Sequence, residues 1–415
     1  METEERTDMI QSLKAGLEYY RDVVIYALAG LLIGLFVAAL EIIFGLGLQH
    51  IVAFYQKTGP WLLAGLPFAG LIIVWLYRKS GGDCAKGMTL LYEVDQKRRP
   101  ELPKPLALLQ IVSTWITHLF GGSAGREGVA IVVGGWGASL VGKLFSLEDR
   151  HSVLLITGMA AGFAGLFGTP FTAVFFALEV LTAGIIRYRA LVSCLIASLT
   201  ASAAAGWFGL EKEAYTVTYA YTLDIELITK LVLLGLLFGL AGKLFVLAMH
   251  GAKTLARRRF PNPYRRIFFL GILAALVLFL WNQGRYSNTG AQLIYNCFHF
   301  GRVYWYDWLG KLICTVLTLA IGFTGGEVMP LFTIGSTLGF VMASFFGLPP
   351  AVGAMLGLVA VFASGTNTFL APLCIGMELF SAEYFPLFFI CAAAAYVVNR
   401  KDSIYHLQKI MYDPQ

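Results

Sequence analysis

The stretch GGSAGREGVAIVVGGW, residues 121–136, sets an arginine and a glutamate, Arg126 and Glu127, inside a glycine-rich apolar run. An acidic residue within a membrane segment is costly and by default marks a pathway or a relay. GREG breaks the chain, and VAIVVGGW then starts a helix. The spacing predicts Glu127 at or just before that helix's N-terminus, where free backbone N–H groups attract anions. When ionised, a carboxylate fills such a place. When protonated, it can leave and admit a solute anion. The plainer reading is an ion pair with Arg126. Adjacent residues do not face each other on a helix, so that pairing is expected to be poor and Arg126 is read as structural.

The rest of the chain supplies the membrane. Of 415 residues, 58% are hydrophobic and 13% charged, against about 45–50% and 25% in soluble domains. The 45 glycines suit close helix packing in lipid. The first 22 residues are polar and lack the basic start and cleavage site of a signal peptide. Helical anchoring is expected to begin near Val23. The net charge of +6 comes from loops between apolar runs, which excludes a nucleic-acid partner as its explanation. The six cysteines are scattered without a CxxC, so they read as small core residues rather than disulfides or metal ligands. The histidines have no ligand spacing, and His118 reads as a packed, hydrogen-bonded side chain rather than a relay. No metal and no cofactor is expected.

Long apolar spans cover 23–48, 61–77, 228–249 and 267–281, and shorter pieces broken by Gly and Pro lie between them. Broken helices at membrane depth are tolerated where they are buried in protein or line a cavity. The halves can be superposed. Gly125-Arg126-Glu127 matches Gly325-Gly326-Glu327 at an offset of 200, as Gly135 matches Gly335. Gly158, Phe163, Ala164 and Glu179 match Gly357, Phe362, Ala363 and Glu378 at 199. This reads as a duplication. Basic loops after the second span and around 253–266, with an acidic mid-chain linker, predict an odd number of crossings per half, hence inverted repeats. The expected layout is a cytoplasmic segment 1–22, a first repeat 23–210, an outside linker 211–227, a second repeat 228–399 and a cytoplasmic tail 400–415.

Other residues carry chemistry by the same reasoning. Glu327 lies among glycines, with Pro330 near a helix start, and is read as a second acid facing the first. Glu179 and Glu378 close apolar runs and read as structural. Ser80 to Val94 is a third glycine-rich approach to a helix, with Asp83 and Lys86 as loop charges. Tyr405 follows the last apolar run.

Together these stretches resemble the CLC family of anion channels and proton-coupled antiporters, over nearly the whole chain. Gly125-Arg126-Glu127-Gly128-Val129 is similar to the family's GREGP, with valine for proline. Gly326-Glu327-Val328-Met329-Pro330 is similar to GxFxP, and Gly87-Met88-Thr89-Leu90-Leu91 to GSGIP, with methionine for the anion-coordinating serine. Tyr405 matches the late tyrosine. The resemblance implies an all-α membrane fold, an inverted repeat of many broken and tilted helices, and a homodimer with one pathway per subunit. It implies Glu127 and Glu327 in gating and proton transfer. Gly87, Met88, Thr89, Gly128, Val129, Val328, Met329 and Tyr405 are implied as the anion route. The departures at Val129, Met88 and Glu327 resemble the bacterial fluoride/proton antiporters of the family. Val180 stands where the chloride exchangers carry an inner glutamate. Fluoride holds water strongly, so a site must offer strong donors, and a protonated acid is one.

The expected function is fluoride export in exchange for proton uptake, in a bacterial plasma (inner) membrane, with both termini cytoplasmic. The partners are fluoride or chloride, protons and the lipid bilayer. The rival is a chloride-selective exchanger or passive channel. An intramembrane enzyme is excluded by the lack of HExxH, GxSxG or a paired-Asp motif.

Overall fold

Glycine and proline cut the apolar sequence into sixteen α-helices among the described residues, and the two halves use the same order. The computed structural model describes residues 2–145, 150–210, 212–299 and 301–411, without the side chains of 2–19, 150 and 151. Residue 1, the first linker residue 211 and the tail residues 412–415 lie outside them. The first half runs α1 (Glu2–Thr58), α2 (Leu66–Ser80), α3 (Thr89–Asp95), α4 (Leu106–Leu119), α5 (Glu127–Val141), α6 (Arg150–Phe167), α7 (Pro170–Glu179) and α8 (Leu191–Trp207). The second runs α9 (Ile225–Arg259), α10 (Pro263–Leu280), α11 (Ala291–Phe298), α12 (Asp307–Ile321), α13 (Val328–Phe345), α14 (Pro350–Thr366), α15 (Leu370–Leu379) and α16 (Phe385–Val398). Six helices are long and apolar enough to cross a membrane by length and composition, with shorter apolar helices between them.

Packing repeats too. α1 lies against α6 and α8, as α9 lies against α14 and α16. α5 crosses α6 at Gly134 and Gly158, and α13 crosses α14 at Gly335 and Gly357. A Cβ at any of these four would collide with the facing glycine's carbonyl oxygen. Only glycine lets these backbones approach so closely, and the contact is made by dispersion where lipid supplies no hydrophobic drive. Where chain meets lipid, apolar side chains face outward. On α9, Leu233, Leu236, Leu240, Leu244 and Leu247 are exposed, while Leu231, Leu234, Phe238 and Phe245 are buried. That three-and-four spacing is one helix face.

The acids that close α7 and α15 tie the halves together. Glu179 accepts the backbone N–H groups of Phe369, Leu370 and Ala371, at 2.8–3.1 Å. Glu378 accepts those of Phe171 and Thr172 and the Thr172 hydroxyl, at 2.6–3.1 Å. Each helix thus ends in a carboxylate that satisfies the orphan donors opening its repeat mate. These contacts fit the structural reading of both acids.

One expectation needs correction and two features were not foreseen. First, the polar N-terminal segment continues into the first span as one helix, α1, from Glu2 to Thr58. No proline interrupts it. Second, the repeat register around the quoted stretch is 201, not 200. Gly125 pairs antiparallel with Gly326, α5 opens at Glu127 and α13 at Val328, and Gly134 packs as Gly335 does. Glu327 is therefore the mate of Arg126, and Val328 the mate of Glu127. Third, the tail is anchored by a short parallel pairing of β1 (Thr182–Ala183) with β2 (Lys409–Ile410), which nothing in its pattern announced. The cysteines are free and buried, and His118 is packed, its ring nitrogens 2.9 and 3.1 Å from the carbonyls of Thr114 and Ala124.

Candidate functional site

The two broken stretches meet where α5 and α13 begin. Gly125 N–H donates to Gly326 O at 2.7 Å, and Gly326 N–H to Gly125 O at 2.8 Å. A Cβ on Gly326 would lie 2.8 Å from the nitrogen of Gly128 and 3.2 Å from that of Glu127. Glycine there lets one helix start face the other.

Glu127 is the first residue of α5 and is wholly buried. Its Oε2 accepts the N–H of Arg126 and the N–H of Met329, both at 3.2 Å. Met329 belongs to the opening turn of α13, so the carboxylate lies across the N-terminus of the opposing helix. Its place at the start of its own helix is the one expected; its reach to the opposing helix start was not, and both are places that favour an anionic group. Its Oε1 has no hydrogen-bond partner.

The pairing with Arg126 is poor, as expected. Arg126 Nε lies 3.6 Å from Glu127 Oε1, and its Nη2 lies 3.4 Å from Glu213 in the mid-chain linker. Arg126 is the N-cap of α5, with φ −126 and ψ −24. Outside the helix the guanidinium turns toward its neighbour, but at 3.6 Å neither Nε nor Oε1 gains a hydrogen bond.

A cavity of about 640 Å³ reaches this crossing from one side. Gly87, Met88, Thr89, Gly128, Val129, Glu327 and Tyr405 all line it. Met88 is the N-cap of α3, following a turn at Gly87 with φ +52. Three helix starts therefore contribute to the path. Glu127, Val328 and Met329 sit one layer deeper, wholly buried. Tyr405 stands with its ring 5.9 Å from Tyr92 and 6.3 Å from Phe176. Its hydroxyl is buried and has no protein partner. It is held there by the terminal segment, whose Gln408 amide donates to Val180 O and Thr366 O at 2.9 and 3.0 Å. Val180 itself is buried.

Glu327 is not a second copy of Glu127. As N-cap of α13 it makes no side-chain cap. It turns into the cavity, where its Oε1 lies 3.4 Å from Lys253 Nζ on α9. The cavity wall is basic: Lys86, Arg98, Lys253, Arg257 and Arg266 outnumber Glu93 and Glu327. His406 also borders it. Burial, with the nearby cations led by Lys253, holds its imidazole below the ordinary histidine range, so at neutral pH it adds no charge. Lys253 was missed from sequence. The signal was there in His250, Lys253 and Arg257, whose spacing of three and four puts them on one helix face.

Residues 69–400 match the profile described as voltage gated chloride channel. A "Chloride/fluoride channel protein" of Pseudomonas syringae pv. tomato is 36% identical over 394 residues, 92% of this chain and 86% of that one. A solved "CLC-type fluoride/proton antiporter" is 43% identical, with a TM-score of 0.92 over 94% of this chain and 99% of the other. A "slow cyanobacterial Cl-/H+ antiporter", 20% identical, shares the fold with a TM-score of 0.76 over 90% and 94%.

Proposed function

The chain belongs to the voltage-gated chloride channel (CLC) family, and on that premise we propose that it exports fluoride in exchange for proton uptake. The observation that carries the reading is the Glu127 carboxylate lying on the opening N–H of α13. Ionised, Glu127 occupies the anion's place and closes the path. Protonated, it has no charge to hold it between two helix starts and yields to fluoride. One carboxyl thus alternates between gate and proton carrier, which couples the two fluxes. The choice of fluoride rests on the two relatives whose names include it and on Met88, which brings no hydroxyl to the anion route. Glu327, turned into the basic cavity, acts as the second acid. Gly87, Thr89, Gly128, Val129, Val328, Met329 and Tyr405 shape the route.

We assign the cavity mouth to the cytosol of a bacterial cell. Arg257, Arg258 and Arg259 end α9 and Arg78 and Lys79 end α2, on the side where basic residues stay inside. Trp61 and Trp207, among the most exposed tryptophans, lie at the opposite ends of their helices, like an interfacial belt. Both termini are then cytosolic, residues 23–210 and 228–399 are the repeats, and two subunits each carry a pathway. The Pseudomonas relative's name also favours a second reading, a channel that passes chloride.

Substituting Glu127→Gln tests the proposal. In liposomes under a fluoride gradient, the variant should pass fluoride without moving protons. Continued proton pumping by Glu127→Gln would remove Glu127 from the mechanism.

A further inference from the structure

Among the cations bordering the cavity, Lys253 differs in what it touches. Lys86 is paired with Glu93 at 3.1 Å, and Arg266 donates to the carbonyl of Ile321 at 3.1 Å. Lys253 instead reaches one acid at the inner end of the pathway, Glu327, at 3.4 Å. The pair is partly open to the cavity, with the lysine side chain 33% exposed and the glutamate 17%. An ion arriving through the mouth therefore meets the ammonium group before it reaches Glu127.

We propose that Lys253 is a latch on Glu327 that an incoming fluoride opens. With no fluoride, Lys253 holds the Glu327 carboxylate turned into the mouth. Fluoride from the cytosol takes the carboxylate's place beside the ammonium group, as an anion of the same charge. Released, Glu327 accepts the proton that Glu127 has carried inward, while Glu127, still turned inward, leaves the helix starts free for that fluoride. When fluoride moves on to the helix starts, Lys253 returns to Glu327 and the proton leaves for the cytosol. One proton enters as one anion departs, and no other reactant is needed. Lys253 would thus be a positioning residue that acts through Glu327, and this inference rests on the exchange proposed above.

Other groups face the pair and bear on its pH response. His250 and Arg257 lie on the same face of α9, and Tyr405 and His406 approach from the terminal segment. Glu127 lies behind the helix start. Burial and the same cations push the His406 imidazole down.

The test is proton uptake on fluoride addition, read with a pH electrode in weakly buffered detergent solution, for purified wild type, Lys253→Met, Lys253→Arg, Glu327→Gln and the Lys253→Met/Glu327→Gln double variant. It needs no turnover, so variants that fail to transport remain informative. Lys253→Met and Glu327→Gln should each remove the same share of the uptake, the double variant should remove no more, and Lys253→Arg should keep most of it. Losses that add in the double variant, or full uptake in Lys253→Met, would overturn the latch while leaving the exchange intact. Absence of fluoride-linked proton uptake in the wild type would instead sink the exchange.

Discussion

Met88 stands at the N-cap of α3 and borders the cavity, one helix start away from Glu127. A serine there would add a hydroxyl donor for a larger, more weakly hydrated anion. A neutral hydrogen bond nets about 0.5–1.5 kcal/mol, and about 1.4 kcal/mol is tenfold in an equilibrium. Met88→Ser should therefore raise chloride flux relative to fluoride by up to about tenfold, measured as anion efflux from liposomes. An unchanged ratio would mean that Met88 does not set selectivity. At this scale Glu127 was legible because a charge in an apolar run has few tolerable explanations. The role of Glu327 was not, for two reasons. Glycine runs on both sides let the repeats align one residue off. The partner that defines Glu327, Lys253, lies 74 residues away in sequence.

Among the elements, the reciprocal carboxylates of α7 and α15 show what inverted repeats do to helix ends. Each short helix starts in the protein interior, where water cannot satisfy its first N–H groups. The mate's terminal glutamate does so instead. Glu179 takes three such donors, and a buried donor left unsatisfied costs about 1–3 kcal/mol. Glu179→Gln keeps one acceptor oxygen and loses the charge. It should lower the unfolding temperature in detergent, while the protons moved per fluoride stay as in wild type. A changed exchange ratio would place Glu179 in the proton path. Many short-helix boundaries were readable, since Gly and Pro mark them, but α1 and α9 run well past the expected 23–48 and 228–249, and α9 takes in residues 253–259 expected as a basic loop. The capping pattern was not, because it depends on which helix the fold brings opposite. The pairing of β1 with β2 was hidden for the same reason: two residues per strand carry no periodicity.

At the scale of the whole molecule, eight helices are followed by eight in the same order among the described residues, and the seam between them holds the site. Loop charge and hydropathy sufficed for the membrane class and the inverted halves. The cavity, its basic wall and the turn of Arg126 toward both Glu127 and Glu213 required coordinates. The central claim concerns the intact protein: a gate that is also a proton carrier forces fluoride and protons to move in opposite directions. The most direct measurement reconstitutes the wild type in liposomes and follows efflux with fluoride, chloride and pH electrodes together. Fluoride leaving with matching proton uptake, and much slower chloride, is the predicted result. Chloride efflux as fast as fluoride, or fluoride efflux with no proton movement, would contradict it.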